Sequence, residues 1–415
     1  MNGSSHRNTG SIKISKLSFV YIILSVLCTF SLLVGWVPIL HKQAFVTTIV
    51  VLLSVLIVPQ YFRTRLFLIT LFYAIVVWLN AQMGDEYAVD KRVLDGLLLC
   101  TCGCVSYYLM NSDDQKVKKW ISILVLSVLI IQTVIGLFIY STSQEALRFF
   151  IEAMNHDAED FDMLQIFRMG VLSYDVTHGL PVLVSPLMMW IRTKDVSKLW
   201  KAFCILCLLC IVTLTYIYDV TTVLILVFFC FGCSFLIKPN QDKKNRHRII
   251  IVSLLILPFM LSSTLQKGVL GGVESLSMGT TKDKIAAIKE STTSKDDSGD
   301  VGTRKERYEL SLSAFMSNPI MGTNNNAEIG EHSAVFDRMG AFGLIGFIPY
   351  LLILILSTKC CRINMTLSCR WFFILCTISF TALIVLKNMS RIEEWFMYLV
   401  VAPSLLTLKF ENQKR

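Results

Sequence analysis

Apolar blocks of roughly 17 to 22 residues recur along most of this chain, each about long enough to cross a hydrocarbon core as a helix. They lie near 17–37, 44–59, 66–82, 93–110, 120–140, 170–191, 202–217, 220–237, 249–265, 334–356, 369–386 and 392–408. So many blocks of that length predict an all-α polytopic integral membrane protein with about twelve transmembrane helices. Composition agrees: 54% of the 415 residues are hydrophobic and 17% are charged. The division at 202–237 is the least marked, because only Tyr216, Ile217, Tyr218 and Asp219 separate its two halves.

Short cytoplasmic loops retain Lys and Arg, which gives the map an orientation. With the N-terminus inside, the inside segments hold 23 Lys and Arg residues and the short outside segments hold 7. Both termini are then cytoplasmic, and topology accounts for the net charge of +9 without nucleic acid as a partner. A reporter fused after Lys295 is expected to be active only outside the cytoplasm, and one after Lys244 only inside. Swapped activities would refute this orientation.

The expected organisation is nine helices in 1–265, a large extracytoplasmic loop over 266–333, and three helices in 334–415. Residues 1–16 are polar and basic and lead into the first span with no small-residue cleavage site, which reads as an uncleaved anchor. The thirteen cysteines avoid the outside loops, so the outer regions do not depend on disulfides. Cys100, Cys102 and Cys104 sit in an apolar helix without His or carboxylate neighbours, which points to core packing rather than metal. In the outside loop at 141–169, Glu152, His156, Asp157, Glu159, Asp160 and Asp162 form an acidic patch, read as a solvated face with a divalent-metal site as the alternative.

The first half of the long loop is rich in Gly, Ser, Thr and charge and reads as mobile. Its second half predicts an amphipathic helix over 304–317. Thr303 and Glu306 make a capping box there, and Tyr308, Leu312 and Phe315 share a face. Asn318-Pro319 ends that helix. Glu331, His332 and Ser333 then stand just ahead of the next apolar run, so a titratable imidazole lies where water meets lipid. No Walker loop, dinucleotide fingerprint, HExxH motif or internal repeat occurs.

Ionisable groups near spans gather on the outer side: Arg168, Asp175 and His178 by span six, Asp219 at the turn after span seven, Asp337 and Arg338 at the start of span ten. Lys387, Arg391, Glu393 and Glu394 surround the last outer turn. Only Asp95 joins them elsewhere. A transporter places such groups near the midplane, so this distribution favours chemistry or binding at the outer leaflet. Taken singly, each has a plainer reading. Asp175 and His178 can be a polar pair holding two helices, Arg391 and Glu394 a local ion pair, Arg338 a snorkelling side chain, and Arg304 and Arg307 lipid-headgroup contacts.

The segment from 304 to 346 resembles the O-antigen polymerase and O-antigen ligase superfamily. The residues that carry the resemblance are Arg304 opening the loop helix, Asn318-Pro319-Ile320-Met321-Gly322, His332-Ser333, and Gly343-Leu344-Ile345-Gly346. Arg168-Met169-Gly170 is similar to an Arg-x-x-Gly region of that family, one residue shorter. Where family members carry Ser-Arg at the outer turn between paired spans, this chain has Tyr216, Ile217, Tyr218 and Asp219.

The resemblance implies a multi-pass glycosyltransferase of the bacterial inner (plasma) membrane, acting on undecaprenyl-diphosphate-linked oligosaccharides within the lipid bilayer. It implies His332 as general base, Arg304 with Arg168 and Arg338 on the diphosphate, and support from Arg307, Asp175, His178 and Asp219. No cofactor and no metal are implied, and a chain-length regulator is a possible partner. His-Ser in place of His-Asn, with the divergent first half of the long loop, leans the reading towards a repeat-unit polymerase. An O-antigen ligase acting on lipid A-core is the alternative, and a polysaccharide flippase or transporter and a membrane sensor or scaffold are readings of other classes.

Overall fold

A computed structural model describes residues 52–83, 89–112, 114–142, 174–194, 196–218, 221–238, 244–245, 247–248, 300–323, 328–387 and 392–409. The spans expected near 17–37 and 249–265, part of that near 44–59, the acidic patch at 152–162 and the first half of the long loop lie outside the described residues. The described chain is helical and contains no strand. Its helices are α1 (Arg65–Met83), α2 (Val89–Asn111), α3 (Gln115–Thr142), α4 (Tyr174–Gly179), α5 (Pro181–Arg192), α6 (Lys198–Ile217), α7 (Thr221–Leu236), α8 (Asp300–Ser317), α9 (Ala334–Arg362), α10 (Leu367–Leu386) and α11 (Ile392–Phe396). A π-helical turn, Met397–Val401, then joins α11 to α12 (Ala402–Thr407).

Among the described residues, four helices are long and apolar enough to cross a membrane: Gln115–Ser141, Lys198–Ile217, Ala334–Arg362 and Leu367–Leu386. Pro181–Arg192 and Thr222–Leu236 are apolar but shorter. The twelve-span expectation thus meets a coarser result, an all-helical fold with four helices of spanning length. The weakly divided 202–237 stretch is two helices, with Tyr218 closing α6.

Local chemistry sets the helix starts. Ser197 accepts a hydrogen bond from the Trp200 amide, and Thr366 accepts from the Cys369 amide, each supplying an orphan donor of the first turn with a partner. Pro181 stands at the first position of α5, where its missing N–H costs nothing.

Among the described helices, α5 is the central one. Its residues from Pro181 to Trp190 are all buried, against α6, α7, α10 and α12. A helix apolar all round belongs inside. The Trp190 indole donates to the Leu405 carbonyl at 2.8 Å, so the one polar atom of that side chain is satisfied. Beside it, Tyr398 stacks on Phe380 at 4.4 Å and on Phe373 at 5.4 Å, and its hydroxyl lies 2.6 Å from that of Thr358. Cys100, Cys102 and Cys104 are buried in the helix core, as the packing reading expects. Large apolar side chains such as Phe138, Leu209, Phe228 and Ile355 remain exposed on the outside of the bundle. Such a belt suits lipid contact, where apolar surface has no reason to hide.

Side chains and backbone tie the helix termini together at two ends. At one end Asn364 donates to the Met110 carbonyl, and the Lys409 amide donates to Gln115 Oε1 at 2.7 Å. At the other, the Ala334 amide donates to the Lys387 carbonyl at 3.1 Å, and the Tyr308 hydroxyl donates to the Leu386 carbonyl, also at 3.1 Å. This second end collects α8, the start of α9 and the end of α10.

Candidate functional site

Helix α8 begins at Asp300, so Thr303 lies inside it rather than at its cap, and the expected capping box is not the start signal. Of the expected apolar face, Tyr308 and Phe315 are half-buried, with Tyr308 meeting the Phe336 ring at 5.6 Å, but Leu312 is not packed. Among the described side chains of α8, Ser311 and Ala314 are buried, whereas Leu312 is 42% exposed and Met316 68%. Small residues face α9 because the two backbones nearly touch. A Cβ on Gly340 would stand 2.7 Å from the Ser311 carbonyl oxygen, and one on Gly330 2.0 Å from that of Arg307. Larger side chains at 311 or 314 would hold the helices apart.

The two glycine motifs meet directly. Helix α9 is broken at Gly343, whose φ of 54° and ψ of −159° no ordinary helical residue adopts. The break releases the Leu344 and Ile345 amides and the carbonyls of Gly340 and Ala341, which an unbroken helix would pair with one another. Each finds a partner outside the helix. Leu344 donates to the Pro319 carbonyl at 2.8 Å and Ile345 to the Ile320 carbonyl at 3.2 Å. The Gly340 carbonyl accepts from the Thr323 amide at 2.8 Å, and that of Ala341 from Asn80 Nδ2 at 3.0 Å. The Asn318 to Gly322 turn therefore serves as the cap of a broken helix, and Gly322, with φ of 76°, gives that turn its curvature. After the break, residues 344–362 are about 28 Å long at 1.5 Å per residue, close to a hydrocarbon core by themselves.

His332 occupies the bend that enters α9 and is half-buried. Its Nδ1 lies 3.3 Å from Arg307 Nη1. A guanidinium has only donors, so the imidazole nitrogen accepts, and the neutral ring then carries its proton on Nε2. Arg304 is one turn earlier on α8, and its side chain lies outside the described residues. Arg338 is tied to the fold by its side chain. It donates from Nε to the Tyr73 hydroxyl at 2.9 Å and from Nη1 to the Ala334 carbonyl at 3.2 Å, and its guanidinium sits 4.6 Å from the centre of the Tyr350 ring. Three contacts fix its plane, in the manner that favours arginine over lysine.

Tyr350 in turn meets Trp395 edge-on at 6.2 Å, which leads from this corner to α11. There Glu393 is buried and Glu394 is 0% exposed, so both lie inside the fold, in the first turn of α11. Helix α4, which carries the buried His178, packs on α11, and a Cβ on Gly179 would come 3.6 Å from Glu394 Cα. The structure thus joins His332 with Arg307, and associates His178 with the segment of Glu393 and Glu394. Arg168, Asp219 and Arg391, with the side chains of Asp95 and Asp175, lie outside the described residues.

Sequence reasoning passes over Ser311, Tyr73 and Asn80 as site residues. Tyr73 and Asn80 carry a visible signal, polar groups within an apolar span seven residues apart, and thus about two helical turns apart on one face. Ser311 carries none, because a serine in an amphipathic helix ordinarily faces solvent. No protein-family model matches the chain, and no curated protein matches it.

Proposed function

We propose that this chain is a membrane glycosyltransferase that joins undecaprenyl-diphosphate-linked oligosaccharide repeat units into a surface polysaccharide. The observation that supports it most is the Arg307–His332 contact of 3.3 Å at the mouth of a broken apolar helix. A base and an anion-binding fork there lie side by side, where a lipid-borne diphosphate and a sugar hydroxyl could both arrive. The acceptor hydroxyl attacks the anomeric carbon of the donor, the carbon–oxygen bond to the diphosphate breaks, and undecaprenyl diphosphate leaves. The hydroxyl proton passes to His332. Nδ1 holds the basic lone pair of the neutral ring and takes that proton as Arg307 turns from it to the diphosphate. Arg304 and Arg307 neutralise the leaving group, and Arg338, held on Tyr350, supplies a further fixed positive charge. Inversion at the anomeric carbon follows from attack opposite the leaving group.

The test is a purified-protein assay with synthetic lipid-diphosphate repeat units, read as a ladder of product lengths. Wild-type protein is expected to build a ladder with and without EDTA. Arg304→Lys is expected to lose most of it, because lysine keeps the charge but not the planar fork that grips two phosphate oxygens. No ladder from repeat units, with transfer of preformed polymer to lipid A-core, would instead make the protein a ligase. If EDTA abolishes the wild-type ladder, the acidic patch at 152–162 becomes the candidate metal site.

A further inference from the structure

We propose that Asp337 and Ser311 are positioning residues that hold His332 in its working place, an inference that rests on reading His332 as the base. Four groups close a ring of hydrogen bonds around the two residues Glu331 and His332. The Ser333 amide donates to Asp337 Oδ2 at 3.0 Å, and the Ser311 hydroxyl donates to Asp337 Oδ1 at 2.7 Å. The Gly330 amide donates to Ser311 Oγ at 2.9 Å. Backbone on both flanks of the Glu331–His332 step is thereby tied to one carboxylate and one hydroxyl. Ser311, Gly330, Ser333 and Asp337 are all buried, so water does not compete for these bonds.

The reach of Asp337 back to the Ser333 amide, with Ser333 Oγ accepting from the Phe336 amide, is by itself a helix-capping arrangement. A cap would need nothing from α8. Here the other carboxylate oxygen takes the Ser311 hydroxyl, and Ser311 belongs to the helix that presents Arg307 one turn earlier. The ring therefore fixes the base relative to the guanidinium as well as relative to α9. Glu331 shows what the ring restrains. Its φ of 55° makes it the positive-φ residue other than glycine among the described residues, a conformation that persists where neighbours over-determine it. Gly330 completes the fit, because any side chain there would strike the Arg307 carbonyl.

The full-length protein, with the ladder assay taken to initial rates, tests this. Asp337→Ala, Asp337→Asn and Ser311→Ala are made alone and on top of His332→Ala. Alone, Asp337→Ala and Ser311→Ala are expected to lower kcat by about 10- to 100-fold, the scale of a catalytic group displaced by about 1 Å, with the donor KM unchanged. Asp337→Asn keeps the shape and one acceptor and is expected to recover part of the rate. In the His332→Ala background, none of the three is expected to reduce the residual rate further, since a base that is absent cannot be misplaced. Losses that multiply in that background, or a change confined to KM, would overturn the positioning role. Wild-type rates for Asp337→Asn and Ser311→Ala beside an inactive His332→Ala would overturn it while leaving the base assignment standing. A His332→Ala protein at full rate would overturn both. Should Asp337→Ala not fold, Ser311→Ala and the near-isosteric Asp337→Asn carry the same comparison.

Discussion

His332→Ala is expected to leave the protein inserted and folded while cutting chain extension by about 100- to 10,000-fold, the usual cost of losing a positioned general base. The fold should tolerate the change. His332 is half-buried in a bend, and the buried bonds that shape the bend belong to Gly330, Ser311, Ser333 and Asp337 rather than to the imidazole. Its partner Arg307 stays at the exposed surface of α8 and returns to solvent without stranding a buried charge. Elution as a single species from a sizing column, together with a missing product ladder, is the expected pair of results. A full ladder from this variant would falsify the assignment of the base.

Gly343→Ala is expected to cost folded protein rather than catalysis alone. A Cβ at this position would stand 2.4 Å from the Ile320 carbonyl oxygen and 2.7 Å from the Gly322 amide nitrogen, and φ of 54° is itself unfavourable for alanine. With ψ of −159° this backbone lies in a region essentially reserved for glycine, which alone costs another residue about 1 to 3 kcal/mol. The clash falls on backbone, which cannot rotate away. Relief requires the 318–322 turn to leave the break, which gives up the bonds that the Pro319 and Ile320 carbonyls accept there, at a further cost of about 0.5 to 1.5 kcal/mol each. A loss of several kcal/mol is a large share of the stability of an ordinary domain. Thermal unfolding in detergent should show it as a sharply lower midpoint or as failure to purify. Gly232→Ala on α7 is the matched control, since nothing lies within 4 Å of a Cβ there. Alanine is also the better helix former, so that variant should be as stable as the parent or slightly more so. Equal behaviour of the two variants would refute the account of the break.

Much of the helix layout is legible in residue order. Helix length and bilayer thickness are linked by a fixed rise per residue, so apolar blocks mark out α1, α3, α6, α7, α9 and α10 without reference to what they touch. The end of α8 is equally local: proline after Asn318 cannot continue a helix. His332 is legible because a polar bend before an apolar run is a feature of order along the chain.

Other features depend on distance between segments. Periodicity puts Leu312 on the packed face of α8, and the structure exposes it, because close approach to Gly340 rewards Ser311 and Ala314 instead. Arg338 reads as a snorkelling side chain from its position, but Tyr73 and Tyr350, far from or a few turns beyond it in the chain, supply a hydroxyl and a ring. Glu393 and Glu394 read as polar residues beside the last outer turn, and the structure buries them, since burial follows from neighbouring helices and not from a residue's own polarity.

The sequence by itself determined that the chain is helical and apolar in blocks of spanning length, and that an imidazole follows a loop helix and precedes such a block, because those properties follow from residue order and helical rise. Only the tertiary structure decided that the Asn318 to Gly322 turn caps the break at Gly343, that Arg307 lies beside His332, and that Ser311 and Asp337 enclose the bend between them. Those pairings join residues on different segments, and a hydrogen bond made across such a gap leaves no periodic trace in the order of the residues that make it.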